Sequence, residues 1–120
     1  MNKLSIKKAL LQKKLKIIRI ATEPEALQVL LRGQLRFLNN FHKVIGISSS
    51  GKQLNDVKIH EGIRVIPLEM TRKITPLKDI FSLIRMIKIF KKEKPDVVHS
   101  HTPKAGIISM VASIICGIPN

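Results

Sequence analysis

The stretch Asp96–Gly106, DVVHSHTPKAG, decides the reading of this chain. Its first residues make a short apolar strand and its last ones open a helix, so His99, His101 and Lys104 fall at a strand-to-helix turn. Period-two alternation puts His99 and His101 on the same side of the strand, with His101 nearest its exit. Free backbone N–H groups behind Pro103, with Lys104 adjacent, suit a phosphate or the developing charge on a leaving group. A neutral imidazole in that position can hold a hydroxyl or take part in proton transfer. Spacing alone leaves a second reading open, in which two histidines at a strand end satisfy local backbone groups. A metal site would need a third ligand, and no Cys or carboxylate stands at a suitable interval.

Working outward, Pro95 stops a helix that starts cleanly at Thr75-Pro76, shows an apolar face of Leu77, Ile80, Phe81, Ile84 and Ile87, and ends in Lys91, Lys92 and Lys94. The strand Ile63–Pro67 precedes it, short and closed by a proline, which predicts a place toward the sheet edge. A weaker helix spans Lys52–His60, after the strand His42–Ser48 and its small polar run Ser48–Gly51. At the front, KIIRIA (Lys16–Ala21) reads as a buried strand. Thr22 or Glu23 can then cap a helix with Pro24 at its first position and Leu27, Leu31, Leu35 and Leu38 on one face, ending at Asn39-Asn40. Gly33 interrupts that helix, either for a close approach or as a tolerated surface glycine. Behind the opening stretch, Lys104–Cys116 continues as a helix apolar nearly all round, broken by Gly117 and Pro119.

Strand and helix alternate throughout, which predicts an α/β fold: a Rossmann-like, doubly wound parallel sheet with right-handed crossovers. Such sheets generally have five or six strands, and the sequence halts at Ile118-Pro119-Asn120 where a fifth should begin, so the domain is expected to be truncated after about four strands. Ligands of open sheets sit beyond the carboxyl ends of the strands, here the loops Thr22–Glu25, Ser48–Gly51, Glu69–Thr75 and Ser100–Lys104. In the third loop Arg72 and Lys73 can grip an anionic acceptor such as a lipid diphosphate, or form a solvated basic loop.

A formal net charge of +14 predicts an anionic partner. The chain has no Trp, no Tyr and four Phe, a poor set of platforms for stacking bases, which weighs against nucleic acid. An anionic membrane surface or a lipid-linked phosphate needs no such platform. Residues 1–15, MNKLSIKKALLQKKL, form a basic extension that, if helical, brings Leu4, Leu11 and Leu15 to one face and could lie on such a surface; a disordered extension fits the same residues. Lys13 and Lys14 interrupt any signal-peptide core, and no run approaches the roughly 18–20 apolar residues that span a bilayer. The single Cys116 suits a reducing cytoplasm. No Walker loop, Gly-x-Gly-x-x-Gly, Gly-x-Ser-x-Gly or His-Glu-x-x-His occurs.

The run PDVVHSHTPKAG, Pro95–Gly106, resembles the mid-domain signature of glycosyltransferase family 4 N-terminal domains, particularly those of bacterial capsular and exopolysaccharide clusters. LLRGQLRFL (Leu30–Leu38), and Met70, Arg72 and Ile74 followed by TPLKDIFSL (Thr75–Leu83), extend the likeness, which covers Lys16–Asn120 in consistent order. The resemblance implies the acceptor-side, N-terminal half of a GT-B architecture over residues 16–120, with the C-terminal donor-binding domain absent. It implies a retaining transfer with no cofactor and no required metal, the nucleotide sugar being a substrate held mainly by that other domain, and a lipid-linked or saccharide acceptor. Such a half is expected to be inactive alone, and to work at the inner face of the cell membrane. By the same resemblance His101 reaches the cleft near the transferred sugar, and His99 supports it. The first loop departs from the family: Ala21-Thr22-Glu23-Pro24-Glu25 has no glycine pair and carries two acids, which argues against a diphosphate there. A non-catalytic basic module and a sugar-nucleotide epimerase of the same architecture are the competing readings.

Overall fold

The computed structural model of the protein describes residues 14–120; of the basic extension read at residues 1–15, only Lys14 and Leu15 fall among them. The elements run β1 (Lys16–Ile20), α1 (Pro24–Leu30), α2 (Gln34–Asn39), β2 (Lys43–Ser48), α3 (Lys52–Glu61), β3 (Arg64–Pro67), α4 (Pro76–Glu93), β4 (Val97–Ser100) and α5 (Pro103–Cys116). All four strands are parallel in the order β3-β2-β1-β4, with Arg19 in register with Gly46 on one side and with His99 on the other. The short strand β3 is an edge, as Pro67 requires.

Alternation divides the core in two. Ile18, Ile20, Ile45, Ile47 and Val98 pack with Met86 and Phe90 of α4 and with Ala105, Ile108 and Ala112 of α5. On the opposite face Ala21 and Val44 meet Leu27, Leu31 and Leu35 of the first helical segment and Leu54 and Val57 of α3. Each large side chain fully buried this way contributes about 1.5–3 kcal/mol. At the amino ends of the strands the Glu93 carboxylate takes Lys16 Nζ at 2.9 Å and Arg64 Nη1 at 3.0 Å, joining β1, β3 and α4.

Two expectations change. The single helix read from Pro24 to Leu38 is broken at Gly33, whose φ of +83° lies in the left-handed region that L side chains avoid. Its freed amide donates to Glu61 Oε1 at 2.6 Å, so the break is tied to α3. The leucine face survives it, with Leu27, Leu31 and Leu35 all buried. In α4 the apolar face expected from Leu77, Ile80, Phe81, Ile84 and Ile87 divides: the first four point outward, Leu77 at 76% and Phe81 at 67% exposed, while Ile87 packs partly buried against the core. The buried stripe is Ser82, Met86, Phe90 and Glu93. Ser82 can be inside because its hydroxyl donates to the Glu69 carbonyl at 2.6 Å, and Glu93 because two cations meet it.

Candidate functional site

The loops at the carboxyl ends of the strands are laced together by short polar side chains. Ser49 donates to the Thr22 carbonyl through its amide at 3.1 Å and its hydroxyl at 2.8 Å. The Thr22 amide donates to Thr102 Oγ1 at 2.8 Å, and the two threonine hydroxyls share a hydrogen at 2.6 Å. Ser50 donates to Glu69 Oε1 from both its amide and its hydroxyl. These bonds satisfy loop groups just ahead of the helix starts and fix the loops after β1, β2, β3 and β4 relative to one another.

Between them lies a cleft of about 520 Å³, lined by Thr22, Glu23, Glu25, Ala26 and Val29 from the first loop and α1, Arg72 from the loop after β3, and Thr102, Pro103 and Lys104 at the start of α5. This size suits a small-molecule group. Both α1 and α5 begin here with a proline in the first turn, so two positive helix ends border it.

The cations of the cleft are already engaged. Arg72 makes a two-point contact with Glu23, Nε to Oε1 at 2.6 Å and Nη2 to Oε2 at 2.9 Å, which also neutralises one of the two acids of the first loop. Lys104 Nζ sits on the Asp79 carboxylate at 2.8 and 2.9 Å and donates to the Lys73 carbonyl. Lys104, first, and then Thr75 hold the Asp79 carboxyl below its usual range. Of the expected anion-binding residues, Arg72 and Lys104 thus meet at the cleft. Lys73 contributes its carbonyl to Lys104 and is not part of the cleft lining.

His99 and His101 form a separate cluster beside the cleft, on the sheet face that carries α1–α3. Their ring centroids are 4.4 Å apart, and the His101 amide donates to the Ile20 carbonyl at 2.9 Å, extending the β1–β4 pairing past the strand end. Beneath them lies Arg19, a residue that the sequence reading passed over. Its Nε donates to His101 Nε2 at 2.8 Å, and Nη2 reaches Gln34 Oε1 at 3.5 Å. Burial, then the charges of Arg19 and His99, push His101 down to about 4; burial and Arg19 lower His99 as well. His101 is neutral at pH 7. The available signal for Arg19 was a lone charge inside a strand of isoleucines, Ile17-Ile18-Arg19-Ile20, at a position whose alternation faces the same way as His99.

With this geometry, residues 19–119 match the family described as glycosyl transferase 4-like. A capsular polysaccharide biosynthesis glycosyltransferase, CapM, of Staphylococcus aureus is 41% identical over 105 residues, 87% of this chain and 27% of the relative. A UDP-Gal:alpha-D-GlcNAc-diphosphoundecaprenol alpha-1,3-galactosyltransferase of Escherichia coli is 44% identical over 50 residues, 42% of this chain and 13% of that protein. The chain therefore spans about a quarter or less of the length of these two relatives. Among solved structures, a glycosyltransferase from Rickettsia africae superposes over 89% of this chain and 28% of its own at a TM-score of 0.73 and 19% identity. A UDP-N-acetylglucosamine 2-epimerase does so over 88% and 32% at 0.66 and 22% identity. At these identities the structures show a shared fold, that of a Rossmann-like half of the GT-B type.

Proposed function

The chain belongs to the glycosyl transferase 4-like family, and on that premise we propose that residues 16–120 are the acceptor-side part of a retaining glycosyltransferase. The intact enzyme moves a sugar from a nucleotide-sugar donor to a lipid-linked or saccharide acceptor in surface-polysaccharide synthesis. The donor is held mainly by a second domain that these residues do not contain, and residues 16–120 alone do not turn over. The observation that carries this reading is the convergence of Arg72, Lys104 and the amino end of α5 on one cleft at the carboxyl edge of the sheet. An acceptor diphosphate entering the cleft exchanges with the carboxylates of Glu23 and Asp79 for the two cations, so binding replaces existing ion pairs rather than charging an empty site. His101 lies in the same β4–α5 loop, one residue before Thr102 of the cleft lining, and meets the transferred sugar.

The outer face of α4 supports a place at the inner surface of an anionic membrane. Leu77, Ile80, Phe81 and Ile84 are exposed there, and Lys78 and Arg85 share the helix. Apolar side chains entering the headgroup region beside basic ones combine burial with attraction to anionic lipid.

The test is transfer by the full-length protein from labelled nucleotide sugars to polyprenyl-diphosphate-linked and free saccharide acceptors. Acceptor-dependent transfer that falls at least tenfold in His101→Ala is expected. Interconversion of the free nucleotide sugar with no acceptor would make the protein an epimerase, and unchanged transfer in His101→Ala would remove that residue from the site.

A further inference from the structure

Arg19 is the only Lys or Arg that is buried among the described residues, and none of their carboxylates pairs with it. Burying a guanidinium carries a desolvation penalty, and burial alone lowers its affinity for its proton. The neighbouring positions of β1 are filled by isoleucine, so the fold itself does not call for a charge there. What the guanidinium touches is the histidine that the proposed function places next to the sugar.

A guanidinium carries donors and no acceptor. Its Nε–H on His101 Nε2, at 2.8 Å, therefore requires the lone pair of the ring at Nε2 and the ring hydrogen at Nδ1. The alternative tautomer would set two hydrogens against each other. The His99 ring, 4.4 Å away centroid to centroid, also restricts its rotation. We propose that Arg19 is a positioning residue that makes His101 a hydrogen-bond donor: with Nε2 capped, the imidazole meets substrate through Nδ1–H and holds an oxygen of the sugar or of the leaving phosphate instead of removing a proton. This rests on the reading of His101 as a residue of the transfer site. The electrostatics agree with it, because the titratable groups acting on His101 are Arg19 from β1 and His99 from β4, and the charged form of each disfavours an imidazolium, while the far end of the guanidinium reaches uncharged Gln34 of α2.

The experiment is nitrogen NMR of 15N-labelled histidine in the full-length protein. At pH 7 His101 is expected as a neutral ring protonated at Nδ1, titrating near pH 4. In Arg19→Met the proton moves to Nε2, the more common site, and the midpoint rises as the Arg19 charge is lost, while burial still holds it below the ordinary imidazole value. The acid limb of the pH profile of kcat then moves upward together with that midpoint. Arg19→Lys, which keeps a charged donor, restores part of the native profile. A native ring protonated at Nε2, or an Arg19→Met ring with native tautomer and midpoint, overturns the proposal. If Arg19→Met does not fold, the native tautomer decides by itself. Tautomer and midpoint are read without turnover, so a protein that transfers no sugar would sink the transferase reading while leaving the hold of Arg19 on the ring separately measurable.

Discussion

Arg72 and Glu23 face each other across the mouth of the cleft, guanidinium to carboxylate, with Nε 2.6 Å from Oε1. The arginine comes from the loop after β3 and the glutamate from the loop after β1, so the pair bridges two loops and also blocks the cation that an anionic acceptor would use.

Glu23→Gln should therefore separate stability from binding. The pair is exposed on the arginine side, 79%, and its loss should cost less than about 1 kcal/mol in urea unfolding. Freed of its carboxylate, Arg72 should lower the KM for a diphosphate-linked acceptor by a few fold. An unchanged KM would mean that Arg72 does not meet the acceptor.

Lys104 offers the complementary case. Lys104→Met should raise the acceptor KM by about tenfold, the scale of one lost charge-assisted contact. Asp79→Asn, which releases the ammonium, should leave the KM equal or lower. If both variants raise it equally, the lysine is a tether for the Lys73 loop and not a ligand to substrate.

The Glu93 clamp at the opposite end of the sheet predicts an acid dependence of stability. Hydrogen bonds from Arg64 and then Lys16 hold its carboxyl down at about 2, against an ordinary 4.5. The contribution is fully present above the ordinary value and is lost as pH falls from there toward 2. Arg64 is half exposed, so screening limits the effect to about 1 kcal/mol. Urea midpoints of Glu93→Gln and the native protein should differ at pH 6 and converge near pH 2.5.

Gly33→Ala tests the helix break. An added Cβ meets nothing within 4 Å, so the whole cost is the left-handed backbone, about 1 kcal/mol. A loss above about 2 kcal/mol would show that the substitution also displaces the bond from the Gly33 amide to Glu61. Lys94, at φ +49° after α4, is the converse: Lys94→Gly should raise the unfolding free energy measured in urea by up to about 1 kcal/mol.

The parallel α/β order was legible because prolines and glycines punctuate it: Pro24, Pro76 and Pro103 each open a helix, and Gly62 and Gly117 each follow one. The inner face of α4 was not, because the helix carries two stripes. Leu77, Ile80, Phe81 and Ile84 make the more apolar one, while the buried stripe includes a serine and a glutamate whose partners, Glu69, Lys16 and Arg64, come from other parts of the chain. At the site, local pattern placed His99 and His101 together and put Lys104 at a helix start. It could not show that Arg72 answers Glu23, 49 residues away, or that Arg19 answers His101, 82 residues away. Such pairings exist only once β1 lies between β2 and β4.

That central place of β1 sets a timetable for the chain. Of the described strands, the first to be made is also one whose second neighbour, β4, is made last: the Lys16 amide waits for Asp96, 80 residues downstream. At a ribosomal pace of roughly 5–20 residues per second, Ile18 and Ile20 have one flank unpaired for about 4–16 s after they emerge. During that interval an unpaired strand edge is open to wrong partners, a hazard that arises from the order of synthesis and not from any weakness of the finished sheet.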